Sequence, residues 1–295
     1  MSRRHEQPVT AISSPRAGVL VTITVLAFAV VGCGTAITTT PIAPGASEPS
    51  EATSPSPTEN VLAQPSIEGT FDVTADGRQL ALACWGEGEP TVILEGGDAS
   101  GLDQWTGSAL VRRIAPQTRV CAYDRAGGSE SDPAPNEPRN ADDLVDELHT
   151  LLTEADVPTP HLMVGSSFGG YISAYYAARF PNDVGGVVLL DTAAPEAGIT
   201  VEDFPEGVWD YPGNVEHLTN LKDIHRFARN PVPMDAPLVV VTATDGDSSV
   251  EDQGDYWLPL SPDAHQVVLT GGHDIYDDQP QAVADEVLLL VASAS

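Results

Sequence analysis

Gly165-Ser166-Ser167-Phe168-Gly169 sets a serine between two glycines, directly after the apolar run His161–Val164 (HLMV) and before a stretch of helical period that starts at Gly170. A serine hydroxyl is a weak nucleophile until a base takes its proton, and the base needs a third group to fix its tautomer. The G-x-S-x-G spacing suits a nucleophile on a sharp strand-to-helix turn, because only small flanking residues let the two backbones approach so closely. The N-terminal end of the following helix favours negative charge developing beside it. The plainer reading of the same residues is a glycine-rich turn in which Ser167 caps a helix. No His/Cys/Asp cluster has metal-ligand spacing, and no glycine-rich nucleotide loop follows the first strand, so neither a metal nor a cofactor is expected.

The elements that must hold such a turn alternate along the chain. Gly69–Val73 and Gln79–Trp85 read as a hairpin about Asp76-Gly77. The runs Thr91–Leu94, Arg119–Tyr123, His161–Val164, Gly186–Leu190, Leu238–Thr242 and Gln266–Leu269 are short, apolar and often β-branched. Strands of a parallel sheet buried on both faces have this composition. Helical periods lie between them, over Asp103–Ile114, Ala141–Ala155, Gly170–Arg179 and Gln281–Val291. In Ala141–Ala155, Leu144, Leu148, Leu151 and Leu152 share one face behind an Asn140 cap. Strand–helix alternation of this length predicts one α/β domain over residues 67–295.

From Ile67 to the C-terminus the chain resembles the α/β-hydrolase family. Besides the Ser167 turn, Leu94-Glu95-Gly96-Gly97-Asp98 resembles the family's oxyanion loop, and Tyr123-Asp124-Arg125-Ala126-Gly127-Gly128-Ser129 its turn after the fourth strand. Gly271-Gly272-His273 resembles the catalytic-histidine loop. The resemblance implies a mostly parallel eight-stranded sheet flanked by helices, with a short cap insertion at about 192–236, within which the residues around Val215–Ala228 read as a helical stretch. Its chain order of serine, acid, histidine implies Ser167 as nucleophile and His273 as base. Placing Thr244 at the family's glycine puts the acid at Asp247, with Asp245 and Asp191 as alternatives. The backbone N–H groups of Phe168 and Asp98 would bind the oxyanion. Arg125 is expected to pair with a carboxylate and is given no catalytic role. The family's strand order makes Cys84 and Cys121 neighbours and implies a disulfide, provided that register and facing agree. Phe204, Val208, Trp209 and Tyr211 of the cap could line an apolar pocket. Because Ser167 stands at the nucleophile position, the branches that attack through aspartate, epoxide hydrolases and dehalogenases, are excluded.

Thirteen Lys+Arg stand against 43 Asp+Glu, a formal charge of -30. Such a chain repels phosphates, which excludes a nucleic-acid partner. Arg3, Arg4 and Arg16 precede the apolar run Ala17–Val31, which ends at Gly32-Cys33. Residues 1–32 read as a secretory signal, and Val30-Val31-Gly32-Cys33 resembles a bacterial lipobox with Cys33 as the lipidated residue. Residues 34–66 hold 24 Gly, Ala, Ser, Thr or Pro among 33, with no aromatic residue. That composition cannot bury enough apolar surface to offset chain entropy, so residues 33–66 read as a tether.

These readings converge on an exported, lipid-anchored serine hydrolase acting on a small-molecule ester or amide, with carboxylesterase chemistry on small to medium acyl groups foremost. Peptidase or thioesterase chemistry on the same fold is one alternative. A non-catalytic binding lipoprotein of the envelope is the other. Cys33→Ser is expected to release the protein from membranes or to leave it as unprocessed precursor. A mass spectrum of mature protein showing a free N-terminus other than Cys33 would overturn the anchor.

Overall fold

Eight strands form one sheet in the order β1-β2-β4-β3-β5-β6-β7-β8. They are β1 (Ile67–Asp72), β2 (Gln79–Trp85), β3 (Thr91–Glu95), β4 (Val120–Tyr123), β5 (His161–Ser166), β6 (Val184–Leu190), β7 (Leu238–Asp245) and β8 (Ala264–Gly272). β2 runs antiparallel to β1 and β4, and all other neighbours are parallel. This computed structural model describes residues 64–196, 214–246 and 248–294, all within one compact unit spanning Pro57–Ser295. The strand order is that of the α/β-hydrolase fold.

The β-branched runs work as the sequence predicts. Along β5 and β6, alternate side chains face opposite cores: Met163, Val187 and Leu189 face one, and Leu162, Val164, Val188 and Leu190 the other. The first core is closed by α3 (Ala141–Glu154) and α4 (Phe168–Arg179), the second by α2 (Ala109–Ile114) and α8 (Pro280–Ala294). A strand buried on both faces needs no polar alternation, which is why these segments read as unbroken apolar runs. At α3 the Asn140 side chain accepts from the Asp142 N–H, while the Asp143 carboxylate accepts from the Asn140 N–H. The capping box fixes the start of α3, and its leucine face is buried.

Two expected helices differ. Residues 103–114 form two pieces, α1 (Leu102–Trp105) and α2, because Gly107 takes φ 71° and Ser108 then caps α2 through the Val111 N–H. In the cap, the helix expected from Val215 begins only at Asn220, as α5 (Asn220–Arg229). Before it, Leu218 makes a short bridge with Arg139, and His217 has φ 53°. The Asp223 carboxylate of α5 accepts from the Ala141 N–H at the start of α3, and burial pushes its pKa up to about 6. Phe204, Val208, Trp209 and Tyr211 lie outside the described residues, as do Cys33 and the whole segment before residue 64. No helix among the described residues is long and apolar enough to cross a membrane.

Cys84 of β2 and Cys121 of β4 stand directly opposite in register, their Cα atoms 4.0 Å apart, and are joined by a disulfide. The register that the sequence left open therefore agrees with the bridge. Closing a loop of 37 residues stabilises by about 3–4 kcal/mol in the chain-entropy treatment. At about 2–4 °C per kcal/mol for a domain of this size, reduction is expected to lower Tm by about 6–16 °C. Thiol titration of denatured, unreduced protein should find neither side chain free.

Candidate active site

The chain leaves β5 at Ser166 and turns into α4 at Ser167, whose φ of 53° and ψ of -122° lie in a region that side chains rarely occupy. Such strain persists only where the surroundings over-determine it. The Ser167 N–H donates to the Leu190 carbonyl (3.0 Å), which ties the turn to the end of β6. The Ser167 side chain makes no capping bond to α4. The cap reading of this residue therefore fails, and Ser167 stays half-buried at the N-terminal end of a helix of 12 residues.

The residue after Leu190 is Asp191, so the parallel register of β5 and β6 places its carboxylate beside the Ser167 turn. Asp191 is 1% exposed and has φ 42°. Its Oδ1 accepts from Gln253 Nε2 (2.8 Å) and from the Ala243 N–H (3.2 Å), and its Oδ2 lies 2.7 Å from His273 Nδ1. A buried carboxylate needs such partners to remain ionised. His273 follows the end of β8, with its side chain 30% exposed. With Nδ1–H donated to Asp191, the ring's lone pair is at Nε2, on the far side from the carboxylate.

The family resemblance implies Asp247 for this partnership. Asp247 lies outside the described residues, Asp245 is exposed at the end of β7, and the carboxylate on His273 is that of Asp191, named only as an alternative. The missing glycine at Thr244 is one sign against Asp247, and Gly246 is a second. Gly246 comes so close to Asp191 that a Cβ on it would meet Oδ2 at 2.3 Å, so the loop after β7 folds directly over the carboxylate. Gln253 carried no signal at all. It is fully buried on α6 (Val250–Trp257), and its own Oε1 accepts from Thr242 Oγ1, which in turn accepts from Gln266 Nε2.

The expected oxyanion loop also reaches Ser167. A Cβ on Gly97 would stand 3.6 Å from the Ser167 Cβ, so Gly97 is buried against the Ser167 turn. Asp98, the expected donor on this loop, is the next residue and is exposed, and Phe168, the other expected donor, is buried as the first residue of α4. Arg125 lies behind the loop, fully buried with two carboxylates, Glu95 and Glu216, rather than the one expected. Burial pushes the Glu95 carboxyl up, against the pull of Arg125 and Tyr123, while the two carboxylates hold the Arg125 guanidinium well above its usual range.

A cavity of about 310 Å³ opens beside Ser167, lined by Phe168, Tyr171, Ala193, Ala194, Asn220 and Ile224 among others. The Tyr171 hydroxyl and the Trp257 indole N–H donate to the Ala193 and Thr192 carbonyls, which fixes the segment following Asp191 as one wall. No group of three or more His, Cys, Asp or Glu that could hold a metal ion occurs among the described residues.

Comparison with known proteins matches the fold. The alpha/beta hydrolase fold family matches residues 90–229, which take in the Gly96-Gly97 loop, the Arg125 turn and Ser167. A 2-hydroxymuconate semialdehyde hydrolase from Pseudomonas sp. (strain CF600) is 31% identical over 162 residues, 55% of this chain and 56% of that one. The chain spans about half, or less, of the length of the curated relatives it matches. Among solved structures, alpha/beta hydrolase domain-containing protein 10 from mouse aligns with TM-score 0.64 at 16% identity, covering 77% of this chain and 99% of that one. A thermophilic esterase from Thermogutta terrifontis aligns with TM-score 0.59 at 19% identity, covering 77% and 98%. This chain is an α/β-hydrolase-fold protein.

A proton shared between an imidazole and a carboxylate resonates far downfield of ordinary ring protons. Wild type is expected to show one such signal from His273 Nδ1–H, which disappears in Asp191→Asn and persists in Asp245→Asn. Its persistence in Asp191→Asn would place a different carboxylate on the ring.

Proposed function

We propose that the protein is a serine hydrolase that cleaves carboxylic esters of small to medium acyl groups through an acyl-enzyme on Ser167. The observation that carries this reading is the bond from His273 Nδ1 to the buried Asp191 carboxylate, at the strand end to which the strained Ser167 turn is tied. In this reading His273 Nε2 takes the Ser167 Oγ proton as Oγ bonds to the substrate carbonyl carbon. The carbonyl π pair moves onto oxygen, where the backbone N–H groups of Phe168 and of the Gly97-Asp98 loop bind the alkoxide. When the pair returns, the bond to the leaving alkoxy oxygen breaks and His273 protonates it. Water then repeats the sequence on the acyl-enzyme, and the Ser167 hydroxyl is restored. Asp191 stays ionised throughout, fixing the tautomer and balancing the imidazolium.

The cavity of about 310 Å³ supports a substrate of moderate size; Phe168, Tyr171, Ala193, Ala194 and Ile224 offer apolar walls to an acyl chain, and Glu196 and Asp252 disfavour an anionic group. Amide and thioester substrates would meet the same groups, so peptidase and thioesterase chemistry are the second reading. The similarity to a hydrolase of a semialdehyde and to a thermophilic esterase is in keeping with hydrolysis and does not choose between them. We further infer that the domain works outside the cytoplasm on a lipid-anchored Cys33. The support is the basic and apolar N-terminus, the tether that follows it, and the Cys84–Cys121 disulfide, which an oxidising compartment favours.

A fluorophosphonate probe is expected to label wild type at Ser167 and to leave Ser167→Ala unlabelled. Ser167→Ala should lose several orders of magnitude in turnover of short acyl esters while keeping its melting transition. Asp191→Asn should lose about 10⁴-fold in kcat, as expected when the base is left in the wrong tautomer, and a much smaller factor should follow Asp247→Asn. An unlabelled wild type that binds acyl compounds without turnover would instead favour a non-catalytic binding protein.

A further inference from the structure

Arg125 has all five of its N–H donors engaged, and only some of them on carboxylates. Nε and Nη2 donate to the two oxygens of Glu216 (2.5 and 2.9 Å), and Nη1 donates to Glu95 Oε1 (2.5 Å). The other two go to backbone: Nη1 to the Gly96 carbonyl (2.9 Å) and Nη2 to the Gly97 carbonyl (2.5 Å). A trans peptide unit is planar, with its C=O and the following N–H pointing opposite ways. Holding the Gly96 carbonyl therefore turns the Gly97 N–H away from the guanidinium, and holding the Gly97 carbonyl does the same for the Asp98 N–H. The loop that carries these two N–H groups packs against Ser167 at Gly97. The guanidinium also lies 5.9 Å from the centre of the Phe168 ring, the residue whose N–H is the other expected donor.

We propose that Arg125 is a positioning residue for the oxyanion loop, aiming the Gly97 and Asp98 N–H groups by gripping the carbonyls behind them. The proposal rests on the serine-hydrolase reading above. Its geometry is specific to arginine. Only a planar fork with five donors can satisfy two carboxylates and two successive carbonyls at once, whereas a lysine offers three donors at one point. The charge is largely balanced by Glu95 and Glu216, so the contribution is one of orientation. The same fork links the loop to the cap region, because Glu216 follows Val215 in the segment that leads into α5.

The test compares Arg125→Lys, which keeps the charge, with wild type on a short acyl ester and on two inhibitors. A trifluoromethyl ketone adds Ser167 Oγ across its carbonyl; the Oγ proton passes to His273, and the new alkoxide occupies the oxyanion site. The matching methyl ketone binds without adding. Removal of a whole oxyanion donor costs about 10²–10³ in kcat, so misorientation is expected to lower kcat about 10–100-fold with KM within about 3-fold. Trifluoromethyl ketone affinity should weaken by the same factor as kcat, and methyl ketone affinity should stay within about 3-fold. An unchanged kcat, or equal weakening of both ketones, would overturn the proposal. If Arg125→Lys shows no cooperative melting transition, Glu216→Gln decides. It should lower kcat several-fold at constant KM, and an unchanged kcat would refute the assignment. A wild type that neither labels at Ser167 nor hydrolyses esters sinks the enzymatic reading and this one with it. An active wild type with an unaffected lysine variant sinks this one alone.

Discussion

The close crossing of α4 over the ends of β3 and β5 is the constraint from which the rest of the site follows. A Cβ on Gly169 would lie 2.4 Å from the Gly96 carbonyl oxygen and 2.5 Å from that of Glu95, and one on Gly165 would lie 2.3 Å from the Gly169 carbonyl oxygen. Backbone thus meets backbone at three points with no room for side chains, and the chain between β5 and α4 must turn within one residue. Ser167 carries that turn, in a conformation costing about 1–3 kcal/mol. The packing that imposes this cost also brings Gly97 against the Ser167 turn. The Ser167 turn and the Gly96-Gly97 loop are therefore set by one crossing.

The carboxylate at the end of β6 illustrates how the fold fixes a position in space more strictly than a position in sequence. Strands β6 and β7 end side by side, and an acid on either can come within reach of a histidine that follows β8. Here the β6 end provides it, and the β7 end provides the supports: the Ala243 N–H, the approach of Gly246, and Thr242 acting through Gln253. Each oxygen of Asp191 has a donor fixed by a strand, a helix or the His273 loop. A carboxylate so held loses little by reorganising when its imidazole partner becomes charged.

Buried charge on the other side of the site follows the same rule of full partnering. The Glu95–Arg125–Glu216 group is almost wholly withdrawn from water, and its oxygens and nitrogens are bonded to one another, to Tyr123 and to the loop carbonyls. A buried ion group contributes little net stability over apolar packing, but its geometry is sharply defined, since breaking one contact strands another charge. Arg139 does similar work further out. It pairs with Glu147, which also takes Arg78, while its backbone bridges to Leu218 in the cap region.

The elements were legible in the amino-acid sequence because their signals are local. β2 runs from Gln79 to Trp85 as its apolar run predicts, α3 starts at Ala141 behind its Asn140 cap, and the Ser167 turn is marked by the small residues that its backbone contacts demand. What sequence could not determine were relations between segments far apart in the chain. The pairing of Cys84 with Cys121 needed the register of β2 on β4. The choice of Asp191 for His273 needed the relative depth of two strand ends, and three acidic residues of similar local character compete for it in so acidic a chain. Arg125 read locally as a partner for one carboxylate, because nothing near it in sequence announces Glu216, 91 residues away, or the carbonyls of Gly96 and Gly97. Local sterics and hydrophobic period fix where elements begin and what they bury. Which distant polar groups face one another is decided only when packing brings the strand ends together.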